Sequence, residues 1–274
     1  MPSVLSADGT RIHYDVFGRE DGEPLLLLMG LAVDRWGWIR QRADLARRFR
    51  CISIDNRGCG LSDKPHGDYD LFSMTGDVLA VLDAEGIEST HVMGYSLGGV
   101  LSQVLAVRFP ERVRSVVLAA TACRVQDWRR ELFEDWCALV HEKGVRAFAG
   151  ENLRWIAAAR HLRWVTPVAP ALAPLLVRAP SHGIIGQIRA LASITEQLHE
   201  ELNDMTLPAL VIVGSQDILT PVADSEEIVH RIPHARFNVV AGAAHSLVVT
   251  DAGVFNNAVS DFHDEVLAPR LHAV

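Results

Sequence analysis

The stretch Gly94-Tyr95-Ser96-Leu97-Gly98 determines the expected fold of this chain. It follows the apolar run 91–93 and opens the amphipathic run 100–106, which together predict a strand, a sharp turn and a helix. Glycines two positions before and after Ser96 would let the strand and the helix pass close together, with the serine strained at the turn. Such a turn pushes a hydroxyl group into a cleft and places the next N–H at a helix N-terminus.

Strand-like and helix-like segments alternate on both sides of this stretch. Strand-length segments occupy residues 25–29, 51–54, 113–120 and 209–213, and they are continuously apolar over 25–29, 116–120 and 209–213. Such alternation favours parallel pairing and predicts an α/β fold with a doubly wound, mostly parallel sheet. One of the intervening segments, from Trp36 to Phe49, has apolar residues at helical spacing and is predicted to be a single helix.

The alternation fails between residues 123 and 207. This segment predicts one helix after another, and its large apolar and proline residues include Trp128, Trp136, Trp155, Trp164 and the stretch 167–174. We therefore expect a helical cap, or lid, inserted after the sixth strand. The chain would then consist of a core domain made of residues 1–122 and 208–274 and a cap made of residues 123–207.

The composition limits the classes of function. Of the 274 residues, 49% are apolar, which indicates a globular protein, and the net charge is −8. The negative charge argues against binding to nucleic acid or to an anionic membrane surface. The first residues lack the basic and apolar regions of a secretion signal, and the longest apolar run, 25–33, is too short to cross a bilayer. We expect a cytoplasmic protein that acts on a small molecule; a homodimer is left open.

The four cysteines, Cys51, Cys59, Cys123 and Cys137, lack the close paired spacing of zinc sites and disulfide scaffolds. Reduced thiols are the simpler interpretation. The chain also lacks the glycine-rich spacing of a phosphate-binding loop. The sequence therefore predicts neither a metal nor a cofactor.

A serine hydroxyl is a weak nucleophile, so Ser96 needs a base, and the base needs an orienting carboxylate. On a fold with such a turn, these partners follow the serine in the order acid, then histidine, on loops after later strands. Asp217 is the candidate acid because it follows the apolar run 209–213 directly. Asp224 and Glu226 are alternatives, but they fall inside the next predicted helix.

His245 is the candidate base among 12 histidines. Three of the others precede Ser96 and have the wrong chain order, four lie in the 123–207 segment, and four lie on or beside predicted helices. His245 alone follows the strand after the Asp217 strand. Small residues surround it, which would let its ring reach the cleft.

The negative charge that develops on a carbonyl oxygen during attack by a serine requires two N–H donors. Leu97, next to the nucleophile, is the first candidate, and Leu31, on the loop after the 25–29 run, is the second. Gly30 frees the backbone of that loop. The candidate substrate-binding residues are Gly30, Tyr95, Trp128 and Trp155.

These motifs resemble the α/β-hydrolase superfamily, in its serine-esterase and enol-lactonase branch. The resemblance covers residues 10–122 and 208–268, and its motifs are Met29-Gly30-Leu31, Asp55-Asn56-Arg57-Gly58-Cys59-Gly60-Leu61-Ser62-Asp63, Gly94-Tyr95-Ser96-Leu97-Gly98-Gly99, Gly214-Ser215-Gln216-Asp217 and Ala244-His245. It implies an α/β-hydrolase fold in which Arg57 ties down a loop beneath the site. The chain departs from the family at Met29, where a histidine is usual, and so lacks a polar group beside the oxyanion donors.

Sequence and resemblance together predict a cofactor-independent serine hydrolase that cleaves a carboxylic ester or lactone of a small to medium, largely apolar substrate. The serine at the turn separates this chain from family members with aspartate or cysteine there, namely epoxide hydrolases, haloalkane dehalogenases and dienelactone hydrolases. Two alternatives stay open. Some members cleave C–C bonds next to ketones with the same three residues, and Arg189 would then be a cationic group of the pocket. A hydrolase fold can also serve as a small-molecule receptor.

Overall fold

The computed structural model describes residues 2–158 and 177–268, which form an eight-stranded sheet covered by helices. The strands are Ser3–Leu5 (β1), Arg11–Gly18 (β2), Glu23–Leu28 (β3), Phe49–Ile54 (β4), Thr90–Tyr95 (β5), Val113–Ala119 (β6), Ala209–Gly214 (β7) and Arg236–Val240 (β8). Their order in the sheet is β1-β2-β4-β3-β5-β6-β7-β8. The β1–β2 and β2–β4 pairs are antiparallel and the other pairs are parallel. The predicted mostly parallel, doubly wound sheet is confirmed.

The helices are Arg42–Leu45 (α1), Leu71–Ala84 (α2), Leu97–Arg108 (α3), Asp127–Ile156 (α4), Ser181–Ala192 (α5), Glu196–Glu201 (α6), Val222–Arg231 (α7), Leu247–Thr250 (α8) and Ala252–Leu267 (α9). Short 3-10 helices cover Arg35–Trp38, Pro110–Arg112 and Leu202–Asp204. Helix α4 is interrupted at Gly144, whose φ of 76° is not helical. Within the described ranges, no helix combines the length and apolar character that a membrane span requires.

Apolar layers cover both faces of the sheet. Along β3, Leu26 and Leu28 belong to the core on one face, whereas Leu25 and Leu27 belong to the core on the other. All four side chains are fully buried. A strand buried on both faces is apolar at successive positions, which explains why this run is continuous rather than alternating. Because β3 and β5 to β8 run parallel, the loops at their carboxyl ends meet at one edge of the sheet.

The predicted helix from Trp36 to Phe49 is wrong. The chain instead forms the 3-10 turn Arg35–Trp38 and the short α1, and Phe49 already begins β4. Tertiary packing explains the difference. The chain at Gly37 lies so close to Met29 that a Cβ on the glycine would overlap the methionine side chain, and Trp38 is fully buried.

The segment between β6 and β7 contains α4, α5 and α6. In its described part the segment is helical, as its pattern predicts. Trp136 packs edge-on against Phe148, with ring centroids 5.6 Å apart, and both residues belong to the apolar core on one face of the sheet. Trp164 and the proline-rich stretch 167–174 lie outside the described residues.

Two buried histidines lie at the edge of the sheet opposite the turn that carries Ser96. His91 on β5 and His263 on α9 have ring centroids 5.7 Å apart. Burial, together with the charge of Arg114, lowers the pKa of His91 to about 4. Burial is also the main cause that lowers the pKa of His263 to about 3. Both rings are thus neutral in the folded protein at pH values where an exposed histidine is already protonated.

This difference predicts how stability depends on pH. Above a pH of about 6.5 the rings are neutral in both states, and below it only the unfolded chain takes up protons. The free energy of unfolding should therefore fall as the pH drops from 7 to 5, by up to about 1.4 kcal/mol per pH unit and histidine. Urea unfolding should give a shallower slope for His263→Leu than for the parent. The exposed His230 offers the matched control His230→Gln, which should keep the parental slope. Equal slopes for all three proteins would contradict this account.

Candidate active site

Ser96 lies at the turn between β5 and α3. Its φ of 53° and ψ of −116° fall in a region that residues other than glycine rarely adopt, at a cost of about 1–3 kcal/mol. The hydroxyl of Thr121 donates to the carbonyl of Ser96 at 2.9 Å and helps to hold this conformation. A Cβ on Gly94 would overlap the carbonyl of Gly98, and one on Gly98 would overlap the carbonyl of Leu28. The predicted close passage of strand and helix is therefore present.

The three residues predicted for catalysis come together in one hydrogen-bonded chain. His245, on the loop after β8, has its Nε2 3.1 Å from Ser96 Oγ. Its Nδ1 lies 2.8 Å from Oδ2 of Asp217, on the loop after β7. Both partners of this second bond are buried. A carboxylate can only accept, so Nδ1 carries the proton and Nε2 is left with the lone pair that faces the hydroxyl.

Asp217 is held on both of its oxygens. Its Oδ1 accepts from the N–H groups of Leu219 and Thr220, at 3.0 and 2.9 Å. Its Oδ2 accepts from the hydroxyl of Thr220 at 2.8 Å as well as from His245. The Thr220 hydroxyl also lies 3.2 Å from His245 Nδ1. Sequence reasoning missed Thr220; the available signal was a hydroxyl residue three positions after an aspartate in a tight loop.

Tyr95 positions the backbone of His245. Its hydroxyl donates to the carbonyl of His245 at 2.9 Å, and the two rings lie 5.2 Å apart between centroids. Burial raises the pKa of the Tyr95 phenol, and the charge of Asp217 raises it further. The phenol therefore stays neutral and acts as a donor. The tyrosine also lines the cleft described below.

Of the two residues predicted for the oxyanion hole, Leu97 follows Ser96 in the chain and Leu31 lines the same cleft as Ser96. Leu97 is the first residue of α3, and the first N–H groups of a helix have no partner within it. Gly30 lies against Ser96, since a Cβ there would be 3.2 Å from Ser96 Cβ. Leu31, which follows it, lines the cleft.

Met29 occupies the position where the resemblance implies a histidine. Its side chain is only 2% exposed, packs beside Gly37 and does not line the cleft. Its carbonyl accepts a hydrogen bond from Asn56 Nδ2 at 3.0 Å. The methionine thus belongs to the core, and its backbone is fixed at the start of the loop that carries Leu31.

A cleft with an empty volume of about 670 Å³, counted to its open mouth, lies in front of Ser96 and His245. Its wall is mostly apolar, and the apolar residues that line it are Leu31, Val33, Val100, Ala122, Val125, Phe133, Trp136, Ile156, Leu191, Ile194 and Leu219. Some belong to the core loops, whereas others lie on α4 and α5. Both parts of the chain therefore shape the space next to Ser96.

Three of the predicted substrate-binding residues, Gly30, Trp128 and Trp155, do not line this cleft, in contrast to the prediction. Gly30 lies against the ring of Tyr95. Trp128 is 36% exposed and stacks on Trp155, with centroids 6.1 Å apart. Trp136 does line the cleft, and it shares one face of α4 with two other lining residues at positions 129 and 133. The apolar pattern alone does not tell which tryptophans face the cleft.

Two arginines in the wall of the cleft are paired with carboxylates on α7. Arg129 forms a buried ion pair with Asp224, one of the alternative acids. Burial raises the pKa of Asp224 to about 6, although the charge of Arg129 acts in the opposite direction. Arg124 pairs with Glu227 at 2.9 Å. The charges of these two arginines are thus balanced within the protein.

One group of metal-ligating side chains lies beside this wall. Cys123, His199 and Glu227 bring their ligand atoms within 4.8 Å of one another. The carboxylate already pairs with Arg124, and Arg231 Nε donates to His199 Nε2 at 3.1 Å. Burial raises the pKa of the Cys123 thiol to about 12. A cation at this position would have to displace two guanidinium groups and a thiol proton.

Comparison with known proteins finds relatives along nearly the whole chain. A family profile for the alpha/beta hydrolase fold matches residues 23–142. The 3-oxoadipate enol-lactonase 2 of Acinetobacter baylyi is 32% identical over 93% of this chain and 94% of its own. A protein of Azorhizobium caulinodans, provisionally named the carbamate hydrolase RutD, is 28% identical over 97% of this chain and 99% of its own. The crystal structure of the enol-lactonase from Burkholderia xenovorans superposes with a TM-score of 0.88 at 28% identity, covering 96% and 99% of the two chains.

Proposed function

Since this chain belongs to the α/β-hydrolase family, we propose that it is a serine hydrolase that cleaves a carboxylic ester or lactone. The observation that carries the proposal is the hydrogen-bonded chain from Ser96 through His245 to Asp217, which opens on a mostly apolar cleft. The names of the relatives support the same chemistry. An enol-lactone is a cyclic ester, and a carbamate is likewise hydrolysed at a carbonyl carbon.

In the proposed mechanism, Ser96 Oγ attacks the carbonyl carbon while His245 Nε2 takes its proton. The N–H groups of Leu97 and Leu31 stabilise the negative charge on the carbonyl oxygen. The imidazolium, oriented by Asp217, then gives the proton to the leaving oxygen, and an acyl-enzyme remains on Ser96. A water molecule, deprotonated by the same nitrogen, then attacks the acyl carbon; the bond to Ser96 Oγ breaks, the imidazolium returns the proton to Oγ, and the acid is released.

The wall of the cleft supports a largely apolar acyl group as the part of the substrate that enters it. Phe133 and Trp136 of α4 and Leu191 of α5 lie in that wall. We infer that residues 123–207 act as a lid over the site, because this segment supplies part of the pocket without supplying the nucleophile, base or acid. Burial of each methylene group against such a wall contributes about 0.8 kcal/mol.

The structure does not support Arg189 as a cationic pocket group for C–C bond cleavage. This side chain pairs with Asp68 on the surface, at 2.8 Å, and does not line the cleft. A receptor without turnover has less support than an enzyme, because the lone pair of His245 faces the Ser96 hydroxyl directly.

A panel of p-nitrophenyl esters with graded acyl chains, several lactones and a vinylogous ketone substrate tests the proposal. We expect turnover of esters or lactones, with kcat/KM rising up to about fourfold per added methylene until the pocket is full. Turnover of the ketone alone would favour C–C cleavage, and binding without any turnover would favour a receptor.

A substitution in the cleft wall should shift the chain-length preference. Ile194→Phe fills part of the space and should move the optimum to shorter acyl chains, since Ile194 lines the cleft. Trp128→Phe is the matched control, because Trp128 stacks on Trp155 and does not line the cleft. A preference that is flat with chain length, or that shifts equally in both variants, would mean that this cleft does not bind the acyl group.

A further inference from the structure

Gln187, on α5, connects the segment between β6 and β7 to the loop that carries Leu31. Its side chain is fully buried. Its Oε1 accepts a hydrogen bond from the backbone N–H of Ala32 at 2.8 Å. Its Nε2 donates to the carbonyl of Arg57 at 2.8 Å. Both ends of the amide are therefore used to hold backbone groups, and one of these groups lies next to the site.

The backbone that Gln187 holds is a strained turn. Val33 N–H donates to the carbonyl of Gly30 at 3.4 Å, which closes a turn over residues 30–33. Leu31 has a negative φ and Ala32 has a φ of 60°, the pattern of a type II β-turn. Glycine is favoured at the position of Ala32, and an alanine there costs roughly 1–2 kcal/mol. Such a conformation persists only where its surroundings hold it.

The hydrogen bond to Gln187 fixes the orientation of the peptide between Leu31 and Ala32. This orientation distinguishes the observed type II turn from the less strained type I turn. A type I turn has the peptide between its two central residues flipped, and the third residue then takes a negative φ that alanine adopts readily. The N–H of Ala32 belongs to this central peptide, so it reaches Gln187 Oε1 only in the observed orientation. On the other side, Asn56 holds the carbonyl of Met29. The peptide that carries the Leu31 N–H thus lies between two anchored peptides.

We propose that Gln187 is a positioning residue for the oxyanion hole, which holds the 30–33 turn in the form that presents the Leu31 N–H to the carbonyl oxygen of the substrate. This inference rests on the proposed function of the site. Gln187 does not line the cleft, so it acts through the turn. Helix α5 also supplies Leu191 to the wall of the cleft. One helix therefore both shapes the pocket and holds an oxyanion donor in place.

Gln187→Met removes both hydrogen bonds and keeps a side chain of similar length. Loss of one oxyanion donor lowers kcat by about 10²- to 10³-fold, and a misplaced donor costs less. We expect kcat for a p-nitrophenyl ester to fall about 10- to 100-fold while KM stays within about threefold. The rate is expressed per Ser96 titrated with an organophosphonate, so that misfolded protein is not counted. Gln187→Leu repeats the test if the methionine variant gives no titratable protein.

Ala32→Gly separates positioning from a general packing defect. Glycine adopts the positive φ without strain, so the turn no longer depends on Gln187. The double variant Gln187→Met/Ala32→Gly should be at least about fivefold faster than Gln187→Met, with Ala32→Gly alone as the reference. Ser115→Ala is the control for loss of a buried hydrogen bond, because Ser115 bonds to His91 at the far end of the sheet. Its kcat should stay within about twofold of the parent.

Parental kcat in Gln187→Met, or a double variant no faster than Gln187→Met, would overturn the positioning role. If instead the protein is not a serine hydrolase, the parent protein itself would neither hydrolyse the ester nor take up the phosphonate at Ser96. That result differs from a loss confined to the Gln187 variants.

Discussion

Ser96→Ala should lower kcat for ester hydrolysis by about 10⁴- to 10⁶-fold and leave the fold intact. The hydroxyl is the only group removed, and its contact is with His245 Nε2 at 3.1 Å. The bond from Thr121 goes to the backbone carbonyl of Ser96 and is retained. Alanine tolerates a φ of 53° no worse than serine does, because both residues carry a Cβ. Stability should therefore change little while the reaction loses its nucleophile.

The measurement combines turnover of a p-nitrophenyl ester, the thermal midpoint and the mass gained from an organophosphonate. The parent should gain one phosphonyl group on Ser96, and the variant should gain none. Ser102→Ala, on the helix that follows Ser96, is the matched control: the Ser102 hydroxyl is buried and donates to the carbonyl of Gly98 at 2.7 Å. That variant should keep kcat within about threefold of the parent. Parental turnover in Ser96→Ala would show that another group is the nucleophile.

The parts of the site that the sequence predicted are those that depend on local geometry and chain order. The turn at Ser96 requires glycines at fixed offsets, and these can be read directly from the chain. Asp217 and His245 follow buried strands, and parallel strands bring their carboxyl ends to one edge of the sheet. Their proximity therefore follows from the topology, before any side-chain contact is known.

Contacts that depend on side-chain packing could not be predicted in this way. The hydrogen bond from the Tyr95 hydroxyl to the carbonyl of His245 and that from the Ala32 N–H to Gln187 Oε1 join groups more than a hundred residues apart. Neither has a spacing that a sequence pattern could detect. The helical period of α4 likewise indicates an apolar segment, but packing decides that Trp136 faces the cleft while Trp128 stays half exposed. The same holds for residues 36–49, where contact with the core replaces a continuous helix by two short turns.

Asp217→Asn should lower kcat by about 10⁴-fold, and the hydrogen bonds around Asp217 give the reason. Oδ1 accepts from two backbone N–H groups, those of Leu219 and Thr220. An asparagine must place its carbonyl oxygen there, because its NH₂ group would face two donors. The NH₂ group then takes the position of Oδ2 and donates toward His245 Nδ1. The imidazole is forced into the tautomer with the proton on Nε2, which cannot accept the proton of Ser96.

Steady-state kinetics of Asp217→Asn test this argument. The control is Asp83→Asn, because Asp83 is an exposed aspartate that pairs with Arg112. The control should keep parental kcat, and the ester KM of Asp217→Asn should change little, since the tautomer affects proton transfer rather than binding. Near-parental kcat in Asp217→Asn would mean that another group sets the tautomer. The Thr220 hydroxyl, 3.2 Å from His245 Nδ1, is the neighbour that could do so. Thr220→Val distinguishes the two cases: a small loss fits a hydroxyl that only steadies the carboxylate, whereas a loss as large as that expected for Asp217→Asn would move the orienting role to Thr220.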